Sequence, residues 1–422
     1  MLNRRDVAAM LAMLPVGGAR AQGRTVPFYD STGPELFIRA LHAATAGLVT
    51  RGSVTLPANV QYAWPHPSHR FLYVAASNGV PGPASGGYDA PGDTHVVATF
   101  QVDPVRGGLT PFGGALKLTA RPIHLTVSGD GRYLLVASNN PSHLTVHPIA
   151  ADGLPGAMLP QPPDLDFGIY AHQVRVTPNG RSVALVTRGN DGTAGKAEDL
   201  GAIKLFRFQD GRLINLASVA PGSGPEKGLG FGPRHLDFSR DGRFAYVSLE
   251  RENSLFIYGL TADGGFTPAP LFRQGTLADP DGKVKHPAQG AGPIHVHPNG
   301  RTVYIANRGS GTVAVGGQRV SDGGENSIAV FALDPRSGAP RHIQSVDAHG
   351  FETRTFTIDP TGTLLIASSQ VAMNVREGGL HPVGAGLSFY RIGTDGKLTF
   401  LRKQDVDTAK GTHFWCGLLT MP

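Results

Sequence analysis

The chain has 422 residues, a formal net charge of +6 and a sequence pI of about 9.5, and it contains 57 glycines, 33 prolines and one cysteine. A hydrophobic content of 40% excludes a disordered chain, and the single Cys416 excludes an intrachain disulfide and any cysteine-pair zinc motif. Lysine and arginine form no run, so no nucleic-acid footprint is expected. Glycine and proline far exceed their average share of about 12%, which indicates many turns.

The first residues have the features of an export signal. Arg4 and Arg5 precede an apolar stretch at 7–18, and Ala-Arg-Ala at 19–21 fits a small-x-small cleavage site. We predict a twin-arginine or general export signal over 1–21, one domain over 22–422 and a periplasmic location. No apolar run of membrane-spanning length occurs elsewhere, so no membrane contact is expected once the signal is removed. A cytosolic N-terminal tail is the alternative.

A hairpin signal recurs along the rest of the chain. It has two apolar strands around a tight turn with a glycine, as in SRDGRFAYVSL at 239–249 and HPNGRTVYIAN at 297–307. The turn positions are 69, where histidine replaces glycine, and then 131, 180, 242, 300 and 362. A repeat of this length is typical of architectures built from similar supersecondary units.

One copy indicates the structure of the unit. Strands are predicted at 234–239, 244–249 and 254–260, with a weaker fourth near 266–272, and short turns join them. Alternating apolar residues without strong helical periodicity predict an all-β fold. Similar four-stranded antiparallel units arranged radially make a β-propeller. Six copies are visible, and the segments 36–60 and 413–419 are expected to close a seventh blade.

The repeat also aligns polar residues from different blades. Antiparallel residues equidistant from a turn are expected to lie side by side, so positions eight before and eight after the turn should form a ring at one channel mouth. Its notable members are Asn139, His172, Arg188, Arg234, Glu250, Arg308, Arg354 and Gln370. Clustered cations would stabilise an ionised Glu250 and bind an anion. Structural ion pairing between blades is the alternative.

Long loops are predicted on the same face. The segments 80–93, 189–201, 309–325 and 371–386 directly follow second strands, and the blade connections 221–233 and 278–293 emerge there too. Long loops on one face of a scaffold usually carry function. We therefore expect these loops to shape the mouth of the pocket.

The segments GPRHLDFSRDGRFAYVSLE at 232–250 and GPIHVHPNGRTVYIANRG at 292–309 resemble the seven-bladed propeller lactonases. That family includes bacterial phosphogluconolactonases and the fungal carboxymuconate-lactonising enzyme. The resemblance covers roughly 60–400 and implies catalysis without metal or organic cofactor. It also implies a catalytic set, which by motif is His172, Arg234, Glu250 and Arg308. An exported protein fits a cytosolic sugar-phosphate substrate poorly.

These observations predict a cofactor-independent lactonase or lactonising cyclase that acts on a small, carboxylated substrate. Arg234 and Arg308 would hold the carboxylate and stabilise an oxyanion, Glu250 would be the general base, and His172 its partner acid. The further substrate contacts are expected to be Arg354, Arg188, Asn139, Gln370, His235 and His295. The sequence specifies neither the direction of reaction nor the oligomeric state.

Two other functions remain open. A propeller could be a non-catalytic periplasmic binding or scaffold module, because fold does not determine function. A metal site is the other, since His295 and His297 lie two apart on one strand and His124 and His235 share an aligned position. No carboxylate cluster accompanies these histidines in the sequence, so we expect no metal.

Overall fold

The computed structural model describes residues 25–81, 88–192, 194–220 and 230–419, so the predicted export signal lies outside the described residues. Seven antiparallel sheets surround a central channel, which confirms the seven-bladed β-propeller. The only helix in these ranges, Gly282–Lys285, has four residues. No helix in the described part of the chain is long and apolar enough to cross a membrane.

Each blade presents its strands in order from the channel outwards. The inner strands of blades 1 to 7 are Asn59–Pro65, Pro122–Val127, Ala171–Val176, Pro233–Phe238, Gln289–Val296, Phe351–Ile358 and His413–Leu418. The second strands are Phe71–Ser77, Tyr133–Asn139, Ser182–Thr187, Phe244–Leu249, Thr302–Gly309, Leu364–Val371 and Val26–Thr32. The third strands are His95–Val102, Ser142–Pro148, Ala202–Gln209, Ser254–Gly259, Ser327–Leu333, Gly386–Ile392 and Glu35–His42.

The outer strands are less regular. They are Leu109–Pro111 with Leu116–Lys117 in blade 1, then Arg212–Val219, Phe272–Gly275, Pro340–Asp347, Leu398–Asp405 and Gly47–Thr55 in blades 3 to 7. Blade 2 has three strands and, at its outer edge, a single bridge between Ile149 and Pro155. Outer strands pack on one side only, which explains their weaker sequence pattern.

The turn between the inner and second strands forms as the repeat predicted. Gly131, Gly242 and Gly362 have φ of 75°, 69° and 70°, in the left-handed region that glycine adopts without strain. His69 takes the same conformation with φ 56°, so the degenerate first copy makes the same turn. The aligned copies are therefore structurally equivalent.

The seventh blade joins the two ends of the chain. His413–Leu418 pairs with Val26–Thr32, so the blade begins at Val26 rather than near residue 36. The end of the predicted segment 36–60 already belongs to the inner strand of blade 1. Apolar side chains packed between neighbouring blades form the core, including Cys416, which is buried as expected of a lone cysteine.

Two long loops form a separate small sheet. Thr312–Val315 and Gln318–Ser321 make one hairpin, Met373–Val375 and His381–Val383 make another, and one parallel bridge joins Val320 to Asn374. A second small hairpin joins Val80–Pro81 to Tyr88–Ala90. The sequence alone predicted these segments only as loops.

Candidate active site

A β-bulge near the mouth of every inner strand aims one side chain at the channel. In blade 4, Pro233 pairs with Leu249 and His235 pairs with Ser248, so Arg234 has no cross-strand partner. The bulged residues around the ring are Gln61, Ile123, His172, Arg234, Gly292 with Pro293, Arg354 and Phe414. The expected pairing of positions eight before and eight after the turn is therefore wrong, because the bulge adds a residue to one strand.

Three of these bulged residues, His172, Arg234 and Arg354, line a pocket of about 490 Å³ at the mouth together with the adjacent loops. Six of the predicted ring residues line this pocket together: His172, Arg188, Arg234, Glu250, Arg308 and Arg354. Below them lies a narrow void of about 10 Å³ between bulged side chains, including Phe414. The pocket therefore opens at the mouth, and packed side chains of the channel close its lower end.

Four predicted substrate contacts do not line this pocket. Asn139 is enclosed where a two-residue connection leads to the next strand, and Gln370 lies within a strand that continues to Val371. His235 follows the bulged Arg234 and lies one layer deeper, with its ring 5.1 Å from that of His172. His295 lies deeper still, with Nδ1 3.7 Å from Asp237. Positions further along the inner strand face the channel rather than its mouth.

Glu250 is the electrostatic centre of the pocket. Arg188 Nε donates to its Oε2 at 2.6 Å, Arg308 Nη2 donates to its Oε1, and Arg234 Nε lies 3.5 Å from Oε1. Burial alone would raise the pKa of Glu250, but the charges of Arg188, Arg308 and Arg234 outweigh it and hold the pKa well below its usual range. Glu250 is therefore a carboxylate that orders three arginines.

Two arginines have donors that no described residue accepts. Arg234 is 1% exposed, and its Nε and Nη1 make no hydrogen bond. The Arg354 guanidinium lies 4.1 Å over the Phe414 ring, and no hydrogen bond to a described residue accompanies this contact. Burial lowers the pKa of Arg354 to about 10, with further lowering by Arg308 and Arg121. An anionic ligand would supply the missing acceptors.

His172 is buried beside these cations as a neutral imidazole. Burial is the main cause that holds its pKa well below the usual value, and the charges of Arg234, Arg354, Arg308 and Arg188 lower it further. Its Nδ1 has no hydrogen-bond partner. His172 is therefore neutral near pH 7 and has an open nitrogen that can accept a proton, although the neighbouring cations weaken it as a base.

Sequence reasoning missed several residues of the pocket wall. Tyr170 and Glu352 both lie ten residues before a turn glycine, and both have left-handed backbones with φ of 59° and 56°. Glu352 lies 3.3 Å from Arg308 Nη1. Lys283, from the short helix, completes one side of the pocket. Counting two positions further from the turn would have identified the first two residues.

The loops divide between two cavities. Segments 189–201 and 278–293 supply Asp191, Glu198 and Lys283 to the pocket, as predicted. The loops 309–325 and 371–386 instead line a second cavity of about 1110 Å³ between blades 5 and 6. Of the residues in these two loops, only Ser310 lines the first pocket. Folding into their own sheet holds these loops away from the mouth.

The four histidines of the metal hypothesis do not form one group. His297 Nε2 lies 2.8 Å from the carbonyl oxygen of Gly362 in the next blade, whereas His295 contacts Asp237. The His124 ring is tilted against Tyr62 with centroids 4.0 Å apart, and it lies 6.1 Å from the His235 ring. Within the described ranges, no three His, Cys, Asp or Glu side chains form a group that could hold a metal ion.

A buried Ser-His-Asp array also occurs away from the mouth. Ser368 Oγ lies 3.0 Å from His413 Nδ1, and His413 Nε2 lies 3.3 Å from Asp30 Oδ2. The residue types are those of a hydrolase triad, but the ring nitrogens are reversed, because the triad places Nε2 on the serine and Nδ1 on the aspartate. All three residues are completely buried, so no substrate carbonyl can reach Ser368. The array is structural.

The sequence model of the family described as lactonase, 7-bladed beta-propeller, matches residues 31–378. The chain belongs to this family. A 6-phosphogluconolactonase from Bacillus subtilis is 30% identical over 285 residues, with 66% of this chain and 72% of the relative covered. One from Pectobacterium carotovorum is 29% identical over 333 residues, with 79% and 84% covered.

Solved structures show the same fold for this lactonase-family chain. A periplasmic gluconolactonase from Pseudomonas aeruginosa aligns with a TM-score of 0.67 and 21% identity, over 94% of this chain and all of that one. A putative 6-phosphogluconolactonase from Bacteroides fragilis aligns with a TM-score of 0.66 and 19% identity, over 96% of this chain and all of that one. These likenesses show the shared propeller fold.

Proposed function

We propose that this lactonase hydrolyses a small lactone that carries a carboxylate or a comparable anionic group. The observation that carries this proposal is the pair Arg234 and Arg354 beside His172. Arg234 is buried with its Nε and Nη1 unpaired, and the partly buried Arg354 lies over the Phe414 ring. A carboxylate accepts two hydrogen bonds from one guanidinium and neutralises its charge. A neutral lactone would leave Arg234 with only its distant contact to the shared Glu250, and it would leave Arg354 without a carboxylate.

Arg308 has a different role from the one its position suggested. Its Nη1 and Nη2 face Glu352 and Glu250, so those nitrogens are not available to a substrate carboxylate. Its Nε has no hydrogen-bond partner. We assign this N–H to the lactone carbonyl oxygen, where negative charge develops when water adds. One donor of this kind contributes about 3–4 kcal/mol of transition-state stabilisation.

His172 takes the base role that the sequence analysis gave to Glu250. Both carboxylate oxygens of Glu250 are engaged by arginines, which makes Glu250 an anchor for those arginines rather than a base. His172 is neutral and borders the pocket, so it takes a proton from the attacking water. The water oxygen then adds to the carbonyl carbon, and the ring C–O bond breaks to give a hydroxy acid.

The test uses matched substrates. A γ-lactone with a carboxylate on a ring substituent is compared with its methyl ester, alongside gluconolactone and 6-phosphogluconolactone, and ring opening is followed by acid release. We expect the carboxylate to be hydrolysed at least 100-fold more efficiently than its ester, from the roughly 3 kcal/mol of one charged contact. Equal rates, or turnover of the neutral sugar lactone alone, would overturn the anionic substrate.

The roles are separated by variants and pH. His172→Asn should abolish turnover, while His381→Asn, an exposed control, should not change it. Because the pKa of His172 is lowered, kcat/KM should stay constant as the pH falls from 7.5 through 6.5. A fall centred near 6.5 would contradict His172 as the base. Starting the reaction from the open acid also tests lactonisation, which uses the same groups.

We also propose a periplasmic location, which rests on the twin arginines and the small-x-small site before residue 22. The periplasmic gluconolactonase of similar fold is consistent with an exported lactonase. The test is fractionation of cells that express the full chain, with Arg4→Lys/Arg5→Lys as the variant. Unchanged export in that variant would exclude the twin-arginine route, and retention of the wild-type chain in the cytosol would exclude export.

A further inference from the structure

Tyr170 is a strained residue at the edge of the pocket. Its φ of 59° lies in the left-handed region, which is a true outlier for a bulky aromatic residue. Two backbone hydrogen bonds hold it there, from Arg188 N–H to the Tyr170 oxygen and from Gly189 N–H to the Ile169 oxygen, both 2.9 Å. Strain of this kind persists where the surroundings impose it, and it concentrates at functional sites.

The side chain of Tyr170 faces the reacting groups. Its ring centroid lies 5.7 Å from the Arg188 guanidinium, and it lines the same pocket as His172 two residues later. Its charge also affects Arg354: burial, Arg308 and Arg121 lower the pKa of that arginine, and Tyr170 opposes them. The phenol thus lies among the arginines of the pocket. Its hydroxyl makes no hydrogen bond to any residue in the described ranges.

The other groups in the pocket are charged or already donate to the protein. Arginines do not release protons in proteins. Lys283 Nζ donates to the backbone oxygens of Pro287 and Gln289, and Ser310 Oγ donates to that of Ala288. Glu250 is held ionised by its arginines. Among the residues that line the described pocket, Tyr170 has the neutral, unengaged O–H.

We infer that Tyr170 is the general acid of the reaction, which rests on the proposed lactone hydrolysis. His172 takes one proton from water, and the resulting hydroxide oxygen bonds to the carbonyl carbon. When the ring C–O bond breaks, its electron pair stays on the ring oxygen, which takes the phenolic proton of Tyr170. The proton on His172 then returns to the phenolate. Water is consumed, and one hydroxy acid forms.

The leaving group tests this inference. An aliphatic lactone expels an alkoxide that needs a proton, whereas an aryl lactone expels a stable phenoxide. For Tyr170→Phe we expect kcat to fall at least about 100-fold on a carboxylated γ-lactone, the lower end for general acid catalysis. On a dihydrocoumarin with the same carboxylate, the fall should be less than about threefold, and KM should change little for either. Equal losses on both substrates would overturn the acid role.

The outcomes are distinct from failure of the proposed function. If the wild-type protein opens neither lactone, the proposed hydrolysis fails and Tyr170 is not at issue. If it opens both and Tyr170→Phe retains full activity on the aliphatic lactone, hydrolysis stands and the acid role fails. Circular dichroism and a thermal melt of Tyr170→Phe confirm that the fold is kept.

A second variant tests the strain. Tyr170→Gly removes the left-handed penalty, so its thermal midpoint should rise while its turnover of the aliphatic lactone falls at least as far as that of Tyr170→Phe. The matched control is His69→Gly, at the equivalent of the turn glycines, with φ 56°. It should also raise the midpoint but leave kcat unchanged. Retained activity in Tyr170→Gly would contradict the inference.

Discussion

Two buried polar networks of this propeller differ in how completely they are satisfied. The first lies in the seventh blade where the two ends of the chain pair, a region called the closure below. There the Asp30 carboxylate accepts hydrogen bonds from Arg39 Nε at 2.5 Å and from Arg39 Nη2 at 3.0 Å, and its Oδ2 also lies 3.3 Å from His413 Nε2. At the mouth, Glu250 is equally surrounded, but Arg234 Nε and Nη1, Arg308 Nε and His172 Nδ1 have no partner. A satisfied network fixes a fold, whereas unpaired buried donors are typical of a site that awaits a ligand.

The difference also follows from chain position. Asp30 and His413 are 383 residues apart in the sequence and lie on the two strands that close the ring. The bulged residues at the mouth hold no strand pair together, because a bulge leaves its residue without a cross-strand partner. The closure network can thus be optimised for stability and the mouth network for binding. Four variants or conditions test this division.

The largest effect is expected from Asp30→Asn. The substitution leaves Arg39 buried without its counter-charge, which costs about 3–5 kcal/mol of unfolding free energy for a broken buried pair. Lactonase turnover per folded molecule should not change. Urea unfolding and active-site-normalised kinetics measure the two quantities. The exposed pair Arg132 and Asp210 is the control, and Arg132→Gln should alter neither. An unchanged unfolding free energy would show that the closure does not depend on this network.

Arg234→Met should have the opposite profile. Removal of an unsatisfied buried cation should leave the unfolding free energy unchanged or raise it, because Arg188 and Arg308 still neutralise Glu250. The substrate carboxylate loses its charged donor, so kcat/KM should fall about 100- to 1000-fold. Steady-state kinetics and urea unfolding of the same sample measure both. A loss of stability comparable to that of Asp30→Asn would make Arg234 a structural residue and remove the contrast.

Lowering the pH should destabilise the protein through the buried histidines of the channel before it affects Asp30. Burial holds the pKa of His124, His172 and His235 well below 6.5, so the folded protein keeps them neutral while the unfolded chain protonates them below that pH. Stability is therefore fully present above about pH 6.5 and falls as the pH drops, by about 1.4 kcal/mol per pH unit for each histidine. His124→Leu should remove one histidine's share of the slope between pH 6 and 5.

Asp30 makes no such contribution in that range. Burial would raise the pKa of Asp30, but hydrogen bonds from His413 and Arg39 lower it below its usual value, so Asp30 stays ionised above about pH 4. Its stabilisation is lost only as the pH falls through that lowered pKa. Urea unfolding of wild type and His124→Leu at several pH values gives both slopes. Identical slopes would mean that His124 is protonated in the folded protein.

The fold was predictable because it depends on local signals that repeat. A turn glycine between alternating apolar strands requires the left-handed φ observed at Gly131, Gly242 and Gly362, and each copy specifies one blade. The small sheet of the 309–325 and 371–386 loops was not predictable. Its two hairpins meet at one bridge, Val320 to Asn374, and no local pattern encodes that contact.

The residues of the site were predictable, but their roles were not. Counting from the turn identified His172, Arg234, Glu250 and Arg308, although the bulge makes the assumed pairing wrong. Which arginine is neutralised depends on side chains from three blades, and the lowered pKa of His172 depends on burial. Counting positions along the sequence reveals neither the ion pairs of the arginines nor the lowered pKa of His172. Tyr170 was missed because it precedes the strand that the repeat defines.

The smallest expected effect concerns the position of Glu250 rather than its charge. A Cβ at Gly290 would lie 3.1 Å from Glu250 Cγ and 3.3 Å from its backbone oxygen, so Gly290→Ala should push the carboxylate by a few tenths of an ångström. Misplacement of 1 Å can cost about 100-fold, so a shift of this size should lower kcat/KM about tenfold or less, with little change in unfolding free energy. The control, Gly275→Ala in the neighbouring blade, has no atom within 4 Å of its new Cβ and should behave as wild type. If Gly290→Ala keeps full activity, the arginines tolerate a displaced Glu250, and the mouth network is looser than the closure in position as well as in hydrogen bonding.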